Sequence, residues 1–176
     1  MASPAEIVLL PDAGPLITLA YADALDLLFK PGWSVALVDM VLHEVTRNQT
    51  PTSEKLALWA QNHKLPLLPT RVGRMHQQQL SADTVAQRKS NLGELAIQEA
   101  MNDFALERSP KTGVFLFEDH KIARASFLVP DNCRKISTRP FCCSLNKKGG
   151  WYRQRKSNAR RYRRAGHFPA CGSLRR

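Results

Sequence analysis

Two rhythms of apolar and polar residues run through the first 130 positions. One is the short unbroken apolar run: residues 7–10 (IVLL), 33–38 (WSVALV) and 114–117 (VFLF) are too short for helices and predict buried strands. Residues 65–69 (LPLLP) predict at most an edge strand because of their prolines, and 127–130 (FLVP) a fourth short strand. The other rhythm is apolar residues at steps of three and four. It marks a helix from Leu16 through Ile17, Leu19 and Ala20 and on to Leu25, Leu27 and Leu28, with Pro15 suited to its first position. It marks another at Met40, Val41, Leu42 and Val45, which Asp39 can cap, and a third at Leu56, Trp59 and Ala60, opened by Pro51, Thr52 and Ser53. A fourth runs over residues 91–104, where Gly93 precedes the helix and Ile97, Ala100, Met101 and Phe104 form its stripe. Residues 70–91 are polar and predict loop and a surface helix, with Ser81 a candidate cap. Strands alternating with helices predict an α/β fold with a parallel sheet sandwiched by helices.

Charge changes the picture only at the end of the chain. Residues 1–131 hold 12 basic and 15 acidic residues, whereas 132–176 hold 14 basic residues and no acid, so the net +11 belongs to the last quarter. All four cysteines, Cys133, Cys142, Cys143 and Cys171, lie there too, with no C-x2-C pair to suggest a zinc module. No apolar run approaches membrane-spanning length, and Glu6 and Asp12 interrupt the N-terminal run, so the expectation is a cytoplasmic protein with reduced thiols and no membrane partner. Residues 1–140 are expected to form the domain, and 141–176 an irregular basic tail.

Acids recur where strands give way to helices. Asp12 follows the first run, and Glu118 and Asp119 follow the third. Glu44 lies in the second turn of a helix, and Glu94 on the apolar stripe at the start of another. Each has a plain structural alternative: a turn or cap for Asp12, a solvated helix face for Glu44, a helix-dipole partner for Glu94. In a parallel sheet, however, Asp12 and Asp119 leave at the same edge, flanked by the helices of Glu44 and Glu94. Carboxylates gathered there would repel unless a hard divalent cation, Mg²⁺ or Mn²⁺, joined them. His43 and His120 neighbour these acids and read as surface or supporting groups.

Four segments, VLLPDAGPLITLA around Asp12, VDMVLHEVTR around Glu44, NLGELAIQEA around Glu94 and FLFEDHKIAR around Glu118 and Asp119, resemble in order the PIN domain, the metal-dependent ribonuclease fold of VapC-type toxins of toxin–antitoxin pairs. The resemblance spans about residues 5–130 and reaches toward Ser137 and Thr138, which resemble the end of the family's last strand. It implies an endonuclease that hydrolyses RNA, with Asp12, Glu44, Glu94 and Asp119 as the acidic quartet. Asp12, Glu94 and Asp119 would be metal ligands, Glu118 could share or take the role of Asp119, and Glu44 would be a ligand or a water-orienting base. It also implies a homodimer and a cognate antitoxin. The family often has a Ser or Thr soon after the first acid; Ala13 and Gly14 stand there instead.

Beyond Asn132 the resemblance fades, and no sustained helical stripe is visible in the ending. The run RQRKSNARRYRR carries Arg153, Arg155, Lys156, Arg160, Arg161, Arg163 and Arg164, with Trp151, Tyr152 and Tyr162 interleaved. Such a run suits an RNA-binding arm, guanidiniums on phosphates and rings on bases. It equally suits a disordered basic tail or a frame-shifted ending. A non-catalytic nucleic-acid-binding protein, an inactive PIN-like body with a basic arm, is therefore the alternative to the nuclease.

Overall fold

The computed structural model describes residues 6–82, 91–106, 111–118 and 129–146. The elements run β1 (Glu6–Pro11), α1 (Ala13–Tyr21), a 3-10 turn (Leu25–Phe29), β2 (Ser34–Val35), β3 (Leu37–Val38), α2 (Asp39–Thr46), α3 (Pro51–Asn62), β4 (Leu67–Leu68), α4 (Arg71–Ser81), α5 (Leu92–Leu106), β5 (Lys111–Phe117), β6 (Cys133–Ser137) and α6 (Thr138–Asn146). The main sheet has the order β2-β1-β5-β6 with every pairing parallel, and β3 pairs with β4 in a small parallel sheet of their own.

β1 and β5 sit at the centre of the main sheet, and their composition reflects it. Val8 to Pro11 and Gly113 to Phe117 are buried without alternation, as strands covered on both faces must be. Helices supply that cover: Leu16, Leu19 and Ala20 from α1, Ile97, Ala100, Met101 and Phe104 from α5 and Phe141 from α6 join one core with the strands. Phe104 meets Phe115 edge-on with ring centroids 6.4 Å apart. The expected parallel α/β sandwich is the architecture observed.

Pro11 belongs to β1 rather than ending it. Its register partner is Leu116, and Asp12 N still donates to Leu116 O at 2.8 Å. Parallel strands turn alternate residues to alternate neighbours, so the position of Pro11 faces β2, which pairs only as far as Leu9. The missing N–H therefore costs no ladder bond.

Several other expectations are corrected: the first helix stops at Tyr21, Asp23 takes a positive φ, and Leu25, Leu27 and Leu28 stand in the 3-10 turn instead of continuing the helix. The run 33–38 is two strands: after Ala36 N bonds Leu9 O, Leu37 N turns to Pro66 O, and the chain passes from the main sheet into the small one. Within 65–69 the strand is the short edge strand expected, with Leu67 and Leu68 in register with Leu37 and Val38. Asp39 is the first residue of α2 rather than its cap, and its carboxylate has a longer-range task. It accepts from Met40 N at 2.7 Å, Thr70 N at 2.7 Å and Thr70 Oγ1 at 2.8 Å, tying α2 to the start of α4. Thr70, not Ser81, caps the helix in the polar stretch, accepting from Gly73 N; Ser81 is that helix's last residue. Gly93 lies inside the first turn of α5.

The last strand among the described residues is Cys133–Ser137, and Val129 and Pro130 are not in a strand. Asn132 holds its start, donating from Nδ2 to Phe104 O at 2.6 Å and Lys111 O at 3.2 Å. Residues 127 and 128, and the helix start expected after Asp119, lie outside the described residues. A helix then follows where none was expected. α6 crosses the 140/141 position at which the tail was to begin, and it drives Phe141 into the core at 1% exposure. Its apolar positions, Phe141, Cys142 and Leu145, are too few to register as a stripe in a polar ending, yet they are enough for one short helix seated on β5 and β6. Among the described residues, Cys133 is a buried free thiol and Cys143 an exposed one. No described helix is long and apolar enough to cross a membrane.

Candidate active site

The carboxyl edge of the main sheet is set by β1 and β5 ending almost level. Asp12 leaves β1 in extended conformation and starts α1 with its backbone, its carbonyl accepting from Leu16 N at 3.3 Å. Its carboxylate does not cap that helix, yet it is 1% exposed.

One step beyond β5, Glu118 turns onto α1. Its side chain runs across Gly14, where a Cβ would fall well inside contact distance of Glu118 Cγ, and its Oε1 accepts from Thr18 Oγ1 at 2.9 Å. The preceding residue is tied from the other side, since the buried Thr138 donates from Oγ1 to Phe117 O at 2.9 Å. Ser137 and Thr138 thus end β6 at this same edge, as their resemblance to the family's last strand implied.

Glu44 reaches the start of α5 at Gly93, the residue before Glu94. Helices α2 and α5 pack together, and Glu44 Oε2 lies 2.7 Å from where a Cβ on Gly93 would stand, beside Glu94 in the first turn. Glu44 is exposed and Glu94 half-buried. The structure thus puts Asp12 and Glu118 at neighbouring strand ends and Glu44 against the residue preceding Glu94. Asp119 lies outside the described residues, as do His120 and the seven basic residues from Arg153 to Arg164. Among the described residues, no three His, Cys, Asp or Glu side chains gather closely enough to hold one metal ion.

His43 is set beside His76 of α4, with ring centroids 5.0 Å apart. Burial first, then the neighbouring His76 and Arg47, push its pKa below the ordinary histidine value, so the ring favours its neutral form. Burial pushes the Cys133 thiol up, in keeping with an inert core cysteine.

The residues that sequence reasoning missed are the small ones. Gly14, Gly73 and Gly93 each sit in the first turn of a helix, and each leaves room for a carboxylate from another element: Glu118, Asp39 and Glu44 respectively. Helix-initial glycine is the signal that was present. What it lacked was the identity of the visitor, which comes from up to 104 positions away.

No protein-family model matches the chain. No curated protein matches it by sequence. Solved structures do: one match is the PIN domain of RRP44 from T. brucei, with a TM-score of 0.51 and 13% identity over 82% of each chain. At that identity the likeness speaks for the fold alone, and with the parallel sheet flanked by helices it gives this chain a PIN-like α/β fold.

Proposed function

We propose that the protein is a metal-dependent endoribonuclease of the PIN type, hydrolysing RNA phosphodiester bonds. The observation that carries this reading is the Asp12 carboxylate, buried to 1% exposure at the carboxyl edge of a parallel sheet and not used as a helix cap. That edge is where open α/β sheets bind ligands. The candidate donors are all carboxylate oxygens, which suits Mg²⁺ or Mn²⁺. Asp12, Glu94 and Asp119 would hold the ion; when bound, it would lower the pKa of a water and offset charge on the scissile phosphate. Glu44 serves as a further ligand or as the base that orients the attacking water. The VapC-type resemblance adds a toxin role, a cognate antitoxin, a homodimer and a cytoplasmic setting to the proposal.

Purified protein should cleave RNA in Mg²⁺ or Mn²⁺, and Asp12→Asn should abolish cleavage while the circular dichroism spectrum stays unchanged. Cleavage that persists in EDTA refutes the proposal. The second reading, a non-catalytic RNA-binding protein with a basic arm, rests on the seven basic residues from Arg153 to Arg164 with Trp151, Tyr152 and Tyr162 interleaved. It predicts steeply salt-dependent RNA binding with no cleavage in any metal.

A further inference from the structure

The sequence offers two successive acids, Glu118 and Asp119, at the end of β5, and does not say which one faces a metal ion. Three observations bear on Glu118. Its methylene chain fills the space that Gly14 leaves by lacking a Cβ. Its Oε1 accepts from Thr18 Oγ1 at 2.9 Å, one helical turn beyond Gly14 on the same side of α1. The residue before it is held by Thr138 Oγ1, bonded to Phe117 O at 2.9 Å. The exit of β5 is thereby tied to α1 on one side and to α6 on the other.

We propose that Gly14 and Thr18 are positioning residues that seat Glu118 on α1, and that Glu118 acts as a tether fixing the exit of β5 rather than as a metal ligand. The inference rests on the nuclease reading above and deepens it. It also gives a physical account of the family hydroxyl missing after the first acid: at that position this chain has Gly14, whose missing side chain is the seat, and Thr18 supplies a hydroxyl one turn later. A tether and a ligand need different things of the same side chain. A tether needs an oxygen that accepts from Thr18, which a glutamine amide provides. A ligand to a hard cation needs the negative charge, which glutamine lacks.

The experiment is a Mn²⁺ titration of the full chain, read by the Mn²⁺-dependent rise in Tm and by RNA cleavage. Glu118→Gln and Thr18→Ser should reproduce the wild-type half-saturation. Glu118→Ala and Thr18→Val should each raise it about tenfold, the scale on which groups supporting metal ligands act. Gly14→Ala should move it the same way, because its Cβ displaces Glu118. Loss of Mn²⁺ binding in Glu118→Gln as complete as in Asp12→Asn would make Glu118 a ligand and overturn the proposal. So would wild-type titration curves for both Glu118→Ala and Thr18→Val. A wild-type chain that neither responds to Mn²⁺ nor cuts RNA sinks the nuclease reading instead, and this inference with it, before any variant is compared.

Discussion

Replacing Phe141 by alanine tests where the folded body ends. Charge and composition put the boundary at residue 140, yet Phe141 is 1% exposed in the shared core. Deleting a fully buried phenyl ring forfeits its transfer free energy and leaves a cavity, a combined cost of roughly 3–5 kcal/mol. A domain of this size has only about 5–15 kcal/mol in total, so roughly a fifth or more of its stability is at stake. At about 2–4 °C per kcal/mol, Tm should fall by roughly 6–20 °C. The assay is thermal or urea unfolding followed by circular dichroism, with Cys143→Ser as control. Cys143 is exposed on the same helix, so the control should stay within about 0.5 kcal/mol of wild type. The same logic predicts that a chain ending after residue 140 is far less stable than one ending after 146. A Phe141→Ala variant melting within about 2 °C of wild type would show that α6 is not part of the core and that the compositional boundary was right.

Three further outcomes are expected. Asp39→Ala removes the acceptor for Thr70 N and Thr70 Oγ1 and leaves the buried Thr70 without it; equilibrium unfolding should show a loss of roughly 2–3 kcal/mol, and Asp39→Asn a smaller one. Because the pKa of His43 is depressed in the folded state, the unfolded chain binds the extra proton first. Its contribution to stability is therefore full above the ordinary histidine value of 6.5 and is lost as pH falls through the lowered one. Melting at pH 5 and pH 7 should show a smaller acid-induced drop in His43→Gln than in wild type, and an equal drop in the two would refute this. Replacing the seven basic residues from Arg153 to Arg164 by glutamine should weaken RNA binding evenly across sequences and flatten its salt dependence, measured by fluorescence anisotropy. An unchanged salt slope would exclude the arm.

Periodicity alone determined the alternation of elements in this protein and the apolar faces of α1, α2, α3 and α5, because a buried strand and an amphipathic helix leave their signatures within a few consecutive residues. It also marked the acids at the junctions, since an acid next to an apolar run is a local feature. Tertiary structure decided what local signals cannot carry. Whether residues 33–38 made one strand or two depended on the partners at Leu9 and Pro66, and whether 138–146 formed a helix depended on a core that could receive Phe141. The partners of the acids were decided the same way: Glu118 with Thr18, Asp39 with Thr70 and Glu44 over Gly93 are contacts between positions 31 to 100 residues apart. A sequence states which side chains carry charge; only the folded chain settles which neighbour each charge must live beside, because that depends on shape complementarity summed over the whole core.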